Sequence, residues 1–243
     1  MSEEALVVVD MQEYFCRPGY ALARFLAAAG EPGSADWYWQ RVSTTVMPNI
    51  ARLLAEFRAG RGSIVFTEFG SRAADGSDLP RWAKRHNQMA MAAIGERIYL
   101  PLTDPAARVV AELAPSAGDV VVQKTTSGPL AGTDIAARLA AAGVGTVVVT
   151  GVATDVCVTG MARELADTDF DVVVAADACG SPSRESHEWA LRAAIPTFAT
   201  VVRTDDLAGG GSVARGGPVH GVPVVQHATA AAAAGCAPVM GTL

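Results

Sequence analysis

The sequence predicts an α/β fold: an open, doubly wound parallel sheet of about six strands with helices on both faces, a Rossmann-like arrangement. Two observations carry this. Six short β-branched runs, at residues 6–9, 63–67, 120–123, 146–150, 171–176 and 198–203, are apolar on consecutive positions, as strands buried on both faces are. The stretches between them carry helical periodicity, and strands alternating with helices through right-handed crossovers build a parallel sheet.

Taken in order, the first run is VVVD, ending on Asp10. Next, Trp39, Val42, Val46, Ile50, Leu53 and Phe57 fall on one helical face. Within that stretch Pro48, which lacks an N–H and crowds the preceding turn, predicts a short helix followed by a longer one from near Met47. Residues 106–113 and 135–142 are expected to be helical, the latter capped by Asp134 or Thr133. Residues 156–166 place Val158, Met161, Ala162 and Leu165 on one face, and 184–194 supply the last large helix. One domain over residues 1–207 is expected. Its segment 70–101 is too long for an ordinary connection and is rich in charge and Trp, which marks a lid or insert near the site. Residues 208–243 shift to Gly, Ala and Val and read as a C-terminal extension.

Composition narrows the function classes. Half of the 243 residues are hydrophobic and 18% are charged, which rules out a disordered chain. No apolar stretch approaches the roughly 20 residues of a bilayer-spanning helix, so no membrane association is expected. The formal charge of −6 comes from interspersed acids and bases, leaving no basic stripe for nucleic acid. The start MSEEALVVVD lacks the cationic region of a secretory signal, and a cytoplasmic location is expected. Cys16, Cys157, Cys179 and Cys236 lack metal-ligand spacing and read as free thiols.

In an open parallel sheet, ligands bind beyond the carboxyl ends of the strands. Three polar residues stand at such ends: Asp10 in VVVDMQ, Lys124 in VVVQKTTSG and Cys157 in VVVTGVATDVCV. Each alone is most simply a turn residue, a surface charge and a core thiol. Together they form a base, an electrostatic partner and a nucleophile. Gly151 permits a tight turn from strand to helix, and Thr154 or Asp155 is a candidate cap. Cys157 then falls in the first helical turn, where the helix dipole and Lys124 are expected to favour its thiolate. Gln12 is expected either to hydrogen-bond within the site or to satisfy loop backbone. Asp177, at the end of the fifth strand, and His187 are expected to be structural.

The segments VVVDMQ, VVQKTTSGPLAGTD and VVVTGVATDVCVTGMARELADTDFDVVVAADACGS resemble the signature blocks of the isochorismatase-like cysteine hydrolases, in that order, from about Leu6 to Thr204. This superfamily includes nicotinamidases and N-carbamoylsarcosine, biuret and ureidoacrylate amidohydrolases. The resemblance implies hydrolysis of an amide, carbamoyl or ureido C–N bond of a small molecule through a thioester, with an Asp10, Lys124, Cys157 triad. It also implies a cis peptide between Val152 and Ala153, an oxyanion hole from the N–H groups of Ala153 and Cys157, and a homo-oligomer. Alternatives are vinyl ether cleavage of the isochorismatase type, which needs no thiol, and a silent binding protein of the same fold.

The chain also departs from the family. Phe69 and Ser71 stand where nicotinamidases carry the first metal-binding Asp and His, so neither a metal nor another cofactor is expected. Ser127, Gly128 and Pro129 stand after Lys124 where many members have Tyr, Ser and Ala, which removes bulk beside the lysine and predicts a wider pocket, with Ser127 a candidate substrate-binding residue. In the insert, Arg72 or Arg81 is a candidate clamp for a substrate carboxylate or ureido oxygen, with Trp82 covering it from water. The simpler alternative is a solvated charged loop.

Overall fold

A computed structural model describes residues 3–30 and 35–207. The extension 208–243, with Cys236, lies outside the described residues. The strands are β1 (Glu3–Val9), β2 (Gly62–Phe69), β3 (Val120–Lys124), β4 (Val144–Val152), β5 (Asp171–Gly180) and β6 (Thr200–Val202). They form one sheet in the order β3-β2-β1-β4-β5-β6, with every pairing parallel. The chain winds outward from β1 in one direction and then from β4 in the other. The switch point therefore lies between the carboxyl ends of β1 and β4, where such sheets open a crevice.

Residues alternate between two apolar layers because side chains of a strand point to opposite faces. Leu6 and Val8 of β1 pack with Val42, Val46, Ile50 and Leu53. Ala5, Val7 and Val9 pack with Ile135, Leu139, Val158, Met161 and Leu165 on the other face. All five β1 residues are fully buried, and burial of each Leu or Val stabilises the fold by about 2 kcal/mol.

The first layer holds α3 (Asp36–Arg41) and α4 (Met47–Glu56), joined by a π-helical turn, Val42–Val46. The longer helix begins at Met47 as expected, with Pro48 in its first turn, but the chain is not broken before it. The backbone stays in the right-handed helical region through the turn, and Met47 N–H reaches back five residues to Val42, so the wider turn accommodates the proline. The other layer holds α6 (Ile135–Ala141) and α7 (Thr159–Ala166). The last helical stretch is α8 (Arg184–Trp189), extended by a π-helical turn to Ala194.

The helix expected over 106–113 is absent. Two single 3-10 turns, Pro105–Ala107 and Ala111–Leu113, flank an extended piece instead. That piece pairs with the loop after β1: Val109 bridges Gln12, Arg108 O accepts from Glu13 N and Val110 N donates to Met11 O. Short helices precede the insert: α1 (Glu13–Cys16) and α2 (Ala21–Ala29). The insert carries α5 (Arg81–Ile94), which shares an apolar cluster with α2 through Ala90, Ala21 and Leu22. Its ends are tied together by Ser71 and Leu100–Leu102 backbone bonds. A final turn, α9 (Thr204–Leu207), begins at Thr204, whose N–H and hydroxyl both donate to Asp177 at 2.8 Å. Asp177 is thus structural, as expected.

Candidate active site

Asp10 leaves β1 with a φ of 52°, a left-handed conformation that turns its carboxylate over the strand ends. Its backbone N–H is held by Thr67 O at 3.1 Å. The carboxylate is fully buried and both oxygens are engaged: Oδ1 accepts from Thr67 Oγ1 at 2.6 Å, and Oδ2 accepts from Lys124 Nζ at 2.7 Å. Lys124 ends β3, two strands away from β1. Its stem spans β2, where the Phe69 ring lies 5.0 Å from Nζ, a cation–π contact in a desolvated setting. Thr126 O, at 3.0 Å, and Ser127 O, at 3.4 Å, accept its remaining protons.

Cys157 comes from the other side of the switch point. Gly151 near the end of β4 has a φ of +108°, and a Cβ there would sit 2.1 Å from Val9 O. Only glycine lets β4 run this close to β1 before the chain turns. The Val152–Ala153 peptide that follows is cis. A π-helical turn, Thr154–Val158, then leads into α7 and sets the buried Cys157 where the charges of both Asp10 and Lys124 act on its sulfur.

The electrostatics of the three groups follow from burial. Burial opposes the charge on Lys124, but the Asp10 carboxylate and the Cys157 sulfur outweigh it and hold its pKa above the ordinary lysine value. For Cys157 the balance goes the other way. Burial pushes the thiol well up and Asp10 adds to this, while Lys124 only partly opposes them. The thiolate expected from the helix start is therefore not the resting form. The sulfur rests as a thiol beside a carboxylate that can take its proton.

Comparison with known proteins is decisive at this point, because the profile of the Isochorismatase domain matches residues 4–206. The chain belongs to the isochorismatase family. A ureidoacrylate amidohydrolase RutB of Stutzerimonas stutzeri is 32% identical over 208 residues, covering 81% of this chain and 77% of the relative. A solved isochorismatase family protein from Desulfovibrio vulgaris has a TM-score of 0.67 at 27% identity, covering 85% of this chain and 97% of its own. A cysteine hydrolase from Pseudomonas syringae pv. phaseolicola has a TM-score of 0.67 at 25% identity, covering 84% and 90%.

Other expected site residues of this isochorismatase-family chain are placed differently. Both ends of the Gln12 amide are spent on backbone: Nε2 donates to Phe69 O (3.0 Å) and Ala107 O (2.7 Å), and Oε1 accepts from Phe69 N (2.9 Å). Gln12 clasps two loops, the second of its two expected roles. Arg72 donates from Nη2 to Gln123 O and Gly132 O, so it braces the loop after β3. Arg81 is exposed in the first turn of α5. Trp82 stacks on Phe69, with ring centroids 5.8 Å apart and planes 21° apart. The insert therefore reaches the site through its aromatic rings.

At Gly128 the room is taken from another element. A Cβ on Gly128 would lie 2.2 Å from the Glu164 carboxylate, so that carboxylate of α7 takes the room a larger residue would fill. Ser127 contributes its carbonyl to Lys124 as described. Ser71 donates to Asp78 Oδ1. Among the described residues, no three His, Cys, Asp or Glu side chains are grouped to hold a metal ion, and no helix is long and apolar enough to cross a membrane.

Thr67 escaped the sequence reading. The available signal was a polar residue near the end of a strand, as with Asp10. Because the Thr67 hydroxyl stabilises the charged carboxylate in one orientation, Thr67→Val is expected to lower kcat/KM by about tenfold, the worth of one buried hydrogen bond, with Thr67→Ser retaining most of it. Steady-state kinetics on the two variants checks this.

Neither Thr154 nor Asp155 caps the turn holding Cys157. Thr154 Oγ1 pairs with His187 Nδ1 at 2.8 Å, and Asp155 is engaged with Ser181. His187 is buried against Trp37, and burial, aided by Arg41, lowers its pKa from 6.5 to about 3. The fold holds it neutral while the unfolded chain binds a proton below pH 6.5. Its contribution is therefore complete above pH 6.5 and is lost progressively as pH falls toward 3. Urea unfolding between pH 7 and 4 is expected to show falling stability, with a shallower slope in His187→Gln.

Proposed function

We propose that this protein hydrolyses an amide, carbamoyl or ureido C–N bond of a small molecule through a thioester on Cys157. The observation that carries this is the buried Asp10–Lys124 ion pair at the switch point, 2.7 Å between Oδ2 and Nζ, with the buried Cys157 thiol close enough to feel both charges. The similarity to ureidoacrylate amidohydrolases supports the class of bond.

In this mechanism the Cys157 sulfur attacks the substrate carbonyl carbon while its proton passes to the Asp10 carboxylate. The carbonyl π pair moves onto oxygen, where the N–H groups of Ala153 and Cys157 receive the developing charge; donors so placed each contribute about 3 kcal/mol to such barriers. Asp10 then delivers the proton to the leaving nitrogen, the C–N pair departs with it and the thioester remains. Asp10 next takes a proton from water, the hydroxyl attacks the acyl carbon, the C–S bond breaks and the sulfur recovers a proton. Lys124 stays protonated and, at 2.7 Å from Oδ2, holds the Asp10 carboxylate in place before each transfer.

A panel of ureides, carbamoyl amino acids and primary amides, assayed for ammonia or amine release, tests the proposal. Turnover of at least one by the wild type, lost with selective alkylation of Cys157, is the expected result. Turnover that survives Cys157 alkylation would favour a different nucleophile.

A further inference from the structure

Lys124 is seated by the loop that follows it. Its ammonium is fully buried, and besides Asp10 its acceptors are Thr126 O and Ser127 O, carbonyls two and three residues further along the chain. Loop backbone keeps its conformational freedom unless contacts from outside hold it. The placement of residues 125–131 therefore decides where the ammonium sits.

The hold from outside comes from α7. Met161 and Leu165 of this helix pack into the apolar layer, so Gly160 and Glu164, each one position earlier and one turn apart, share the adjoining face. Both meet the loop. A Cβ on Gly160 would lie 3.3 Å from Gly128 N and 3.4 Å from Ser127 O, so the glycine is what lets helix and loop approach this closely. One turn on, Glu164 Oε2 accepts from Leu130 N at 2.8 Å, and the same carboxylate lies over Gly128. Within the loop, Thr126 Oγ1 lies 3.1 Å from Gly128 O and 3.0 Å from Ala131 O. The stretch that Glu164 holds is thus tied to the residue whose carbonyl receives Lys124. The chain enters α7 just after Cys157, so a single helix sets both the nucleophile and the seat of the lysine.

We propose that Glu164 is a positioning residue: by accepting from Leu130 N it pins the loop after β3, and through Thr126 O and Ser127 O it fixes the Lys124 ammonium beside Asp10. As a contribution to catalysis this rests on the hydrolase function proposed above, whereas the hold on Lys124 is measured without turnover.

The chain has two lysines, Lys84 and Lys124, which makes the ammonium directly observable. Nuclear magnetic resonance of the full-length protein labelled with ¹⁵N at lysine Nζ reads one signal from each. Lys84, which donates to Ser77 O at the surface, is the internal control. In the wild type the Lys124 ammonium protons are expected to exchange with water slowly enough at pH 7 to give a resolved peak. Glu164→Ala is expected to move this peak and to speed its exchange about tenfold, the equivalent of one hydrogen bond. Glu164→Asp keeps the charge but falls one methylene short of Leu130 N; it is expected to match Glu164→Ala and serves if that variant misfolds. Glu164→Gln keeps an acceptor and is expected to stay near the wild type. With the substrate panel, kcat is expected to follow the same order while KM changes little. A merely structural residue would lower Tm and leave the Lys124 peak in place. No protected Lys124 peak in the wild type, an unmoved peak in the folded Ala or Asp variant, or a Gln variant as perturbed as Ala would overturn the proposal. Lack of turnover in every protein, with the Lys124 peaks in the expected order, would instead overturn the hydrolase function and leave the hold on Lys124 standing.

Discussion

Cys157→Ala is expected to reduce hydrolysis by about four orders of magnitude or more, to background, because a nucleophile acts as a unit with its base and its removal forfeits the covalent route. The fold is expected to survive. The side chain removed is small, and its surroundings on β4, α6 and α7 are packed by Val149, Leu139, Met161 and Leu165. Circular dichroism and thermal unfolding should therefore stay near wild type while ammonia release from the substrate panel disappears. Cys179→Ala and Cys16→Ala are the contrasting cases. Both thiols are buried, with pKa values raised chiefly by burial, and neither replacement is expected to touch the chemistry.

Asp10→Asn is expected to act on activity and stability together. Loss of the general base costs about a thousandfold in rate. It also leaves the fully buried Lys124 ammonium without its carboxylate, and breaking a buried pair from one side costs about 3–5 kcal/mol. Replacing both partners, as in Asp10→Asn with Lys124→Met, is expected to recover much of that stability and none of the activity, because no uncompensated charge remains. Urea unfolding of the single and double variants, beside their turnover, separates the two effects. Equal stability of Asp10→Asn and wild type would mean that the pair is not buried and charged as described.

Much of this architecture is legible in the chain itself. Runs such as VVVD and VVVTGV are apolar at successive positions because both faces of the sheet are covered, and each became a strand close to its expected limits. Asp10, Lys124 and Cys157 are far apart in sequence, yet each stands at or soon after the end of a strand, and a parallel sheet gathers its strand ends on one edge.

What escaped the sequence depends on neighbours that local pattern does not reveal. Strand β2 lies between β1 and β3, so Thr67 and Phe69 fill the gap between Asp10 and Lys124, a role visible only once the strand order is known. Residues 106–113 have helical spacing, but their backbone groups are taken by the loop after β1. The space beside Gly128 reads as pocket until Glu164 of α7 fills it. The Cys157 thiol shows a competition of magnitudes: the helix start and Lys124 favour the thiolate, and complete burial outweighs them.

Mass spectrometry of the enzyme quenched in acid at times from well below to beyond one turnover, during hydrolysis of a ureide or amide from the panel, tests the central claim most directly. The account predicts that the peptide containing Cys157 gains the mass of the acyl group within the first turnover and loses it as substrate is exhausted. Repeated turnovers with that peptide at its unmodified mass at every time point would contradict it.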